Sequence, residues 1–325
     1  MLKVTSLCLV DTKQSRMASL CREDASYCAL ATKPELLVQK KHSLMSPVPP
    51  SEELALTKEF SPIQFTSVQD LKKRVAALRE EVESGGQCQH IAFRPIVEDQ
   101  FERLDKNRAD LGHGITFTWF ADIKTLVIKV PGMPHEKAHL GFERALVRRA
   151  VAMGLADIEC NSIGSTLYKG KQSAKEADSS WMNQIVRPRK EQFPHFVIEA
   201  GLSESLPRLR ADAKWWVEHS KGEVNIILTI WIRPERKLVK IEKWCPGQAP
   251  STRSSSRFAN GNAFPTMVAE VIIDQSQSPS VISGAPLCLE FHKMIGRPSV
   301  PPQEQDFVFS TQDLDNFVSN IWVGI

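Results

Sequence analysis

The chain has 325 residues, 42% of them hydrophobic, and a formal net charge of +3 from 41 Lys and Arg against 38 Asp and Glu. The apolar share makes a sizeable core available, and the charge is too mild to mark a nucleic-acid partner unless a local patch concentrates it. Seven scattered cysteines without paired metal spacing speak for a reducing compartment over a disulfide framework, and no stretch approaches the ~20 apolar residues that span a bilayer.

Met1 to Val10 makes a poor signal peptide, because Thr5 and Ser6 break its apolar run and Asp11 stops it. An intracellular protein, cytoplasmic or nuclear and without membrane contact, is therefore expected. Residues 1–57 lack sustained periodicity and contain the turn-rich Ser46-Pro47-Val48-Pro49-Pro50-Ser51. They read as a flexible, mostly disordered leader with a short helix near Glu52–Lys58. Residues 58–325 read as a single α/β domain with its core at about 110–244.

Ser67 caps a helix whose Val68, Leu71, Val75, Leu78 and Val82 share one stripe and which Gly85-Gly86 ends. A short helix over 97–107 follows, then a strand pair at 115–120 and 125–130. Pro134 opens a helix to about Met153, with Ala138, Phe142, Leu146 and Ala150 on its buried side. Short strands are expected around 157–160 and 166–170, a strand at 195–201, and a helix over about 204–219 with Pro207 in its first turn. Val224–Ile232 and Lys237–Trp244 form a hairpin, the apolar first strand central and the alternating second nearer an edge. Residues 245–265 read as a long mobile loop, followed by strands around 266–273 and 287–294 and a last helix over 311–321. The order helix, three strands, helix, strand over 135–232 predicts an α/β fold, a mixed central sheet flanked by helices.

Two acids stand out. Glu199 lies inside His195-Phe196-Val197-Ile198-Glu199-Ala200-Gly201, where a carboxylate is costly unless paired, hydrogen-bonded or bound to a cation. Asp178 lies in a turn three residues before Trp181. Alone, Asp178 would serve as a turn cap and Glu199 in a salt bridge. Brought together at strand ends they suit Mg²⁺, which binds through one or two carboxylates plus substrate phosphate. His135-Glu136-Lys137-Ala138-His139 has the HExxH spacing of a zinc peptidase, but at the start of its helix. Its third ligand would have to come from Glu143, Glu159 or Glu176. Glu143 falls on nearly the same face as Glu136. Trp215 and Trp216 are adjacent on a helix, so one can be core while the other faces elsewhere.

The sequence of a helix bearing Glu143, then Ala177-Asp178-Ser179-Ser180-Trp181, then Ile198-Glu199-Ala200-Gly201-Leu202-Ser203-Glu204-Ser205 resembles the PD-(D/E)XK restriction-endonuclease-like superfamily. Met133-Pro134-His135-Glu136, Gly164-Ser165-Thr166-Leu167-Tyr168, Asp212-Ala213-Lys214-Trp215-Trp216 and the hairpin ending at Lys243-Trp244 extend the likeness over roughly 110–325. More narrowly, the chain looks like fungal proteins of uncharacterised role that share this core, akin to the Uma-type bacterial family and nuclease-like Crinkler domains. The resemblance implies a restriction-endonuclease-like core in which Asp178, Glu199 and the Ala200 carbonyl hold Mg²⁺ (or Mn²⁺), with Glu143 as an assisting helix acid. The implied activity is phosphodiester hydrolysis on nucleic acid.

Two positions depart from the pattern. Ala177 replaces the proline before the first acid, and Gly201 stands where a lysine would follow Glu199. Lys214 on the next helix is the candidate replacement, with Arg210 and Lys169 behind it. Lys169, Lys171, Arg208 and Arg210 are candidate phosphate contacts, for which Arg187, Arg189 and Lys190 also have suitable chemistry. Should no cation reach the site, a catalytically degenerate interaction module is the alternative, and the zinc peptidase is the third reading. Substrate type and oligomeric state are left open.

Overall fold

Ser51–Leu54 forms α1, and Ile63–Gln64 (β1) leads into α2, Val68–Glu83. The Ser67 hydroxyl accepts from the Asp70 N–H, and Leu71, Val75, Leu78 and Val82 line the buried face of α2 as their spacing requires. His90–Arg94 (β2), Glu98–Lys106 (α3), Thr116–Phe120 (β3) and Thr125–Lys129 (β4) follow. β3 and β4 form the expected hairpin, paired from Phe120↔Thr125 to Thr116↔Lys129. All five residues of β4 are buried, so Lys129, its last, is carried inside the protein. These observations come from a computed structural model that describes residues 51–164, 166–202, 205–248 and 263–325, all within one compact unit. Residues 1–50 of the expected leader and 249–262 of the expected loop lie outside the described residues.

Met133–Ala152 is α4, followed by the short strands Asn161–Ser162 (β5) and Leu167–Lys169 (β6). Ser173–Glu176 (β7) and Ser179–Met182 (β8) are two further strands where a turn was expected around Asp178. Phe196–Gly201 is β9, Leu206–His219 is α5 and Ile226–Arg233 is β10. Leu238–Gly247 (β11) and Phe264–Asp274 (β12) are longer than expected, and they extend into both ends of the segment read as a mobile loop. The chain closes with Val281–Ser283 (β13), Leu287–Leu289 (β14), Phe291–Ile295 (α6), Phe307–Phe309 (β15) and Thr311–Trp322 (α7). The strand expected over 287–294 therefore stops at Leu289 and turns into a helix.

One sheet runs β1-β2-β4-β3-β7-β6 and the other β13-β12-β11-β10-β9-β8-β5. The fold is α/β with mixed sheets flanked by helices: β9 and β10 are parallel, with α5 between them in sequence, while β8 and β11 pair antiparallel on either side. The order α4, β8, β9, α5, β10 is consistent with a restriction-endonuclease-like core. β10 is the middle strand of its sheet and β11 stands one place nearer an edge, as expected, with β12 paired along its whole length. The charges of β11 are neutralised: Lys240 by Glu270, Glu242 by Arg210 and Lys243 by Glu290.

Strand periodicity sorts β9 between two cores. Phe196, Ile198 and Ala200 pack in the cluster with Ala138, Phe142 and Leu146 of α4, whereas Val197 packs with Trp215 and Trp216 of α5. Glu199 shares the Val197 face. Phe142 anchors α4 by ring contacts to Phe309 and Phe317, 4.7 and 5.4 Å between centroids. Among the described residues no helix is long and apolar enough to cross a membrane.

Candidate functional site

The chain leaves the first sheet at the end of β7 and enters the second at the start of β8, and Asp178 is the last residue of that crossing. Pairing between β8 and β9 ends at Ser179↔Ile198, so the Ala200 N–H lacks a strand partner on that side. The Asp178 carboxylate takes its place: Oδ2 accepts from Ala200 N at 2.7 Å and from Lys129 Nζ at 2.6 Å, and lies 2.9 Å from His135 Nε2. Glu199 Oε1 accepts from the Trp216 indole at 2.7 Å and lies 3.2 Å from Lys175 Nζ. Lys175 also pairs with Asp212 of α5 at 3.0 Å.

Lys129 is the centre of this arrangement. Its ammonium lies 2.6 Å from Asp178 Oδ2, 2.6 Å from the Ala200 carbonyl and 3.9 Å from Glu199 Oε2. These are the three oxygen donors that the resemblance assigns to the divalent cation, and an all-oxygen set of this kind suits Mg²⁺ or Mn²⁺. The residues therefore fit such an ion, at a point where the protein itself places a positive charge. The side chains of Asp178 and Glu199 are each only 1% exposed, so the network is a buried one in which every charge needs its partner.

Burial favours the neutral form of every acid here, and the neighbours decide the outcome. For Asp178 burial is outweighed by His135 and Lys129, which hold its carboxyl well below the usual range. For Glu199 burial prevails: it pushes the group up to about 7, against the attraction of Lys175 and with added repulsion from Asp178 and Asp212. His135 is raised above the ordinary histidine value: burial lowers it most, but the Asp178 charge, together with the hydrogen bond to Asp178 and the close Glu136 carboxylate, outweighs burial and Lys129. Glu199 thus has a folded-state value above that of an unfolded glutamate, and its contribution to stability is complete at acid pH and lost as the pH rises through about 7. Glu199→Gln should remove that loss while retaining an acceptor for Trp216. In urea denaturation the variant is expected to gain on the wild type between about pH 5 and pH 8, by up to ~3 kcal/mol. A difference that stays constant with pH would contradict this.

The other residues singled out in the sequence sit elsewhere. Glu143 is buried on α4, accepting from Ser179 Oγ at 2.9 Å and Trp181 Nε1 at 3.1 Å, and it forms no ion pair with Lys129. Lys214 is half-buried on α5 and pairs with neither Asp178 nor Glu199, whose cations are Lys129 and Lys175. Arg208 is a correction: it is buried and its guanidinium donates to the Leu54 and Ala55 carbonyls, so it does not face an open phosphate surface. Arg210 grips Glu242 with two nitrogens. Lys169 and Lys171 are exposed at the β6–β7 turn. Trp215 and Trp216 are both core, because α5 lies against both sheets: Trp215 donates to Ser173 of β7 and Trp216 to Glu199 of β9.

Sequence reasoning does not reach Lys129 or Lys175. The available signal is the one that exposed Glu199: Leu126-Val127-Ile128-Lys129-Val130 places a charge in an apolar strand, and such a charge requires an opposite one nearby. The HExxH histidines do converge, His135 Nδ1 lying 3.4 Å and His139 Nε2 3.3 Å from the Glu136 carboxylate. None of the three acids considered as a peptidase's third ligand joins them. Glu143 binds Ser179 and Trp181, Glu159 pairs with Arg297, and Glu176 pairs with Arg108.

No protein-family model and no curated protein sequence matches the chain. Among solved structures, the fold is similar to that of a proposed nuclease of the DUF820 group from Anabaena variabilis, with 11% identity and a TM-score of 0.36, over 62% of this chain and 90% of that one.

Proposed function

We propose that the chain is a metal-dependent phosphodiesterase acting on nucleic acid, with Asp178, Glu199 and the Ala200 carbonyl as the cation's protein ligands. The observation that carries this reading is the convergence of those three oxygens on one point occupied by the Lys129 ammonium. Mg²⁺ or Mn²⁺ bound there would supply a water of lowered pKa and positive charge for the scissile phosphate. The chain's own residues do the rest. Ala200 N–H and His135 fix Asp178, while Trp216 and Lys175 fix one oxygen of Glu199 and leave the other facing Lys129. Lys129 brings a cation to Asp178 and Ala200, where the family pattern takes one from the second residue after Glu199. Gly201 cannot provide it, since a Cβ there would run into the Ser205 side chain. Exposed Lys169 and Lys171 are suited to sequence-tolerant backbone contacts.

A second reading, a nuclease-fold module without catalysis, is favoured by the burial of both acids and by the cation point being filled by Lys129. Cleavage of single- and double-stranded DNA and RNA, assayed with Mg²⁺ and with Mn²⁺, separates the two. The phosphodiesterase reading expects metal-dependent cleavage that falls at least ~100-fold in Glu199→Gln with the fold retained. No cleavage of any of these substrates by the wild type would overturn it in favour of the module.

A further inference from the structure

The first two turns of α4 hold a second cluster that the phosphodiesterase reading does not use. The geometry points to a transition-metal site of the Zn²⁺ class formed by His135 Nδ1, Glu136 and His139 Nε2, separate from the oxygen-lined point at Asp178 and Glu199. His135 and His139 are four residues apart and so stand one above the other on α4. One ligand atom from each of the three residues lies within 4.8 Å of the other two. The Glu136 carboxylate brings one oxygen to each ring, Oε1 3.4 Å from His135 Nδ1 and Oε2 3.3 Å from His139 Nε2, close enough for an ion with bonds near ~2 Å to join all three residues.

Both nitrogens are buried and make no hydrogen bond among the described residues. Their side chains are only 2% and 6% exposed, and the Glu136 carboxylate, at 3.4 and 3.3 Å, is the described group that faces both ring nitrogens. The opposite nitrogen of each ring explains how the lone pairs come to face Glu136. His135 Nε2 is engaged by Asp178 Oδ2 at 2.9 Å, which draws the ring proton to that side. His139 Nδ1 is engaged at 2.9 Å by Ser179 Oγ, whose own proton goes to Glu143 Oε2 at 2.9 Å. A carboxylate or hydroxyl behind each imidazole is the outer arrangement that orients metal-binding histidines.

Two imidazoles and one carboxylate select a borderline ion over Mg²⁺ or Ca²⁺, which prefer all-oxygen sets. Solvent access is provided by Glu136, whose side chain is 40% exposed. On its exposed side Glu136 also lines a shallow groove of about 490 Å³ along α4. This differs from a zinc peptidase, because Glu136 serves as a ligand and is not free to act as the base.

The test is calorimetric titration of the chelator-treated full chain with ZnCl₂, together with the visible spectrum on Co²⁺ substitution. One equivalent of Zn²⁺ is expected to bind, with a tetrahedral Co²⁺ spectrum and a raised melting temperature. Affinity is expected to fall more than ~10-fold in His139→Ala and in Glu136→Gln. Glu136 is partly exposed, so its variant decides the question if His139→Ala does not fold. Glu199→Gln is expected to bind Zn²⁺ like the wild type, which separates failure of this site from failure of the phosphodiesterase reading. No Zn²⁺ binding by the wild type, or undiminished binding by Glu136→Gln, overturns the proposal.

Discussion

Lys129→Met is expected to lower the free energy of unfolding by ~3–5 kcal/mol, one of the two largest single effects in the protein. The substitution keeps the length and apolar stem of the side chain and removes only the charge. What remains is Asp178 at 1% exposure, without the ammonium that lies 2.6 Å from its Oδ2, and an Ala200 carbonyl without its donor. Glu199 also loses a cation 3.9 Å away, which should raise its titration further above about 7. Urea denaturation near pH 7 measures the loss. A change under ~1 kcal/mol would show that Lys129 is exchangeable with solvent and that the buried network is not a unit.

Asp178→Asn is expected to cost a similar ~3–5 kcal/mol, for the mirror reason. The change leaves Lys129 and a raised-pKa His135 without the negative charge both face. Because Lys129 and Asp178 compensate each other, their losses should not add. The double variant Lys129→Met/Asp178→Asn is expected to fall short of the summed single losses by ~2 kcal/mol or more. The sign of the pH dependence also follows. Asp178 is held below its unfolded value, so its contribution is present above about pH 4 and disappears as the pH drops through the folded-state value. Additive losses in the double variant would mean that the two groups act independently.

The helices of this fold were legible because their apolar residues repeat at three and four positions, as Leu71, Val75, Leu78 and Val82 do in α2. The acids were legible because a carboxylate among Phe196, Val197 and Ile198 demands an explanation. Local pattern failed where long-range pairing decides. Ser173-Ala174-Lys175-Glu176 carries two charges and resembles a solvated turn, yet all four residues are buried, since Lys175 meets Glu199 and Asp212 while Glu176 meets Arg108. Lys129 reaches Ala200 across 71 positions of sequence, a distance no window of periodicity covers. The charges of β11 likewise gave no sign of their partners, which lie on α5, on β12 and beside α6.

Mg²⁺ titration by calorimetry of the wild type, Lys129→Met and Glu199→Gln tests the central claim most directly. Mg²⁺ is the appropriate probe, because the His135–Glu136–His139 cluster disfavours it. If Asp178, Glu199 and the Ala200 carbonyl form a divalent-cation site, one equivalent should bind to the wild type. Binding should be tighter in Lys129→Met, where no ammonium competes for the same oxygens, and lost in Glu199→Gln. Equal binding in all three proteins, or none in Lys129→Met, would contradict the assignment.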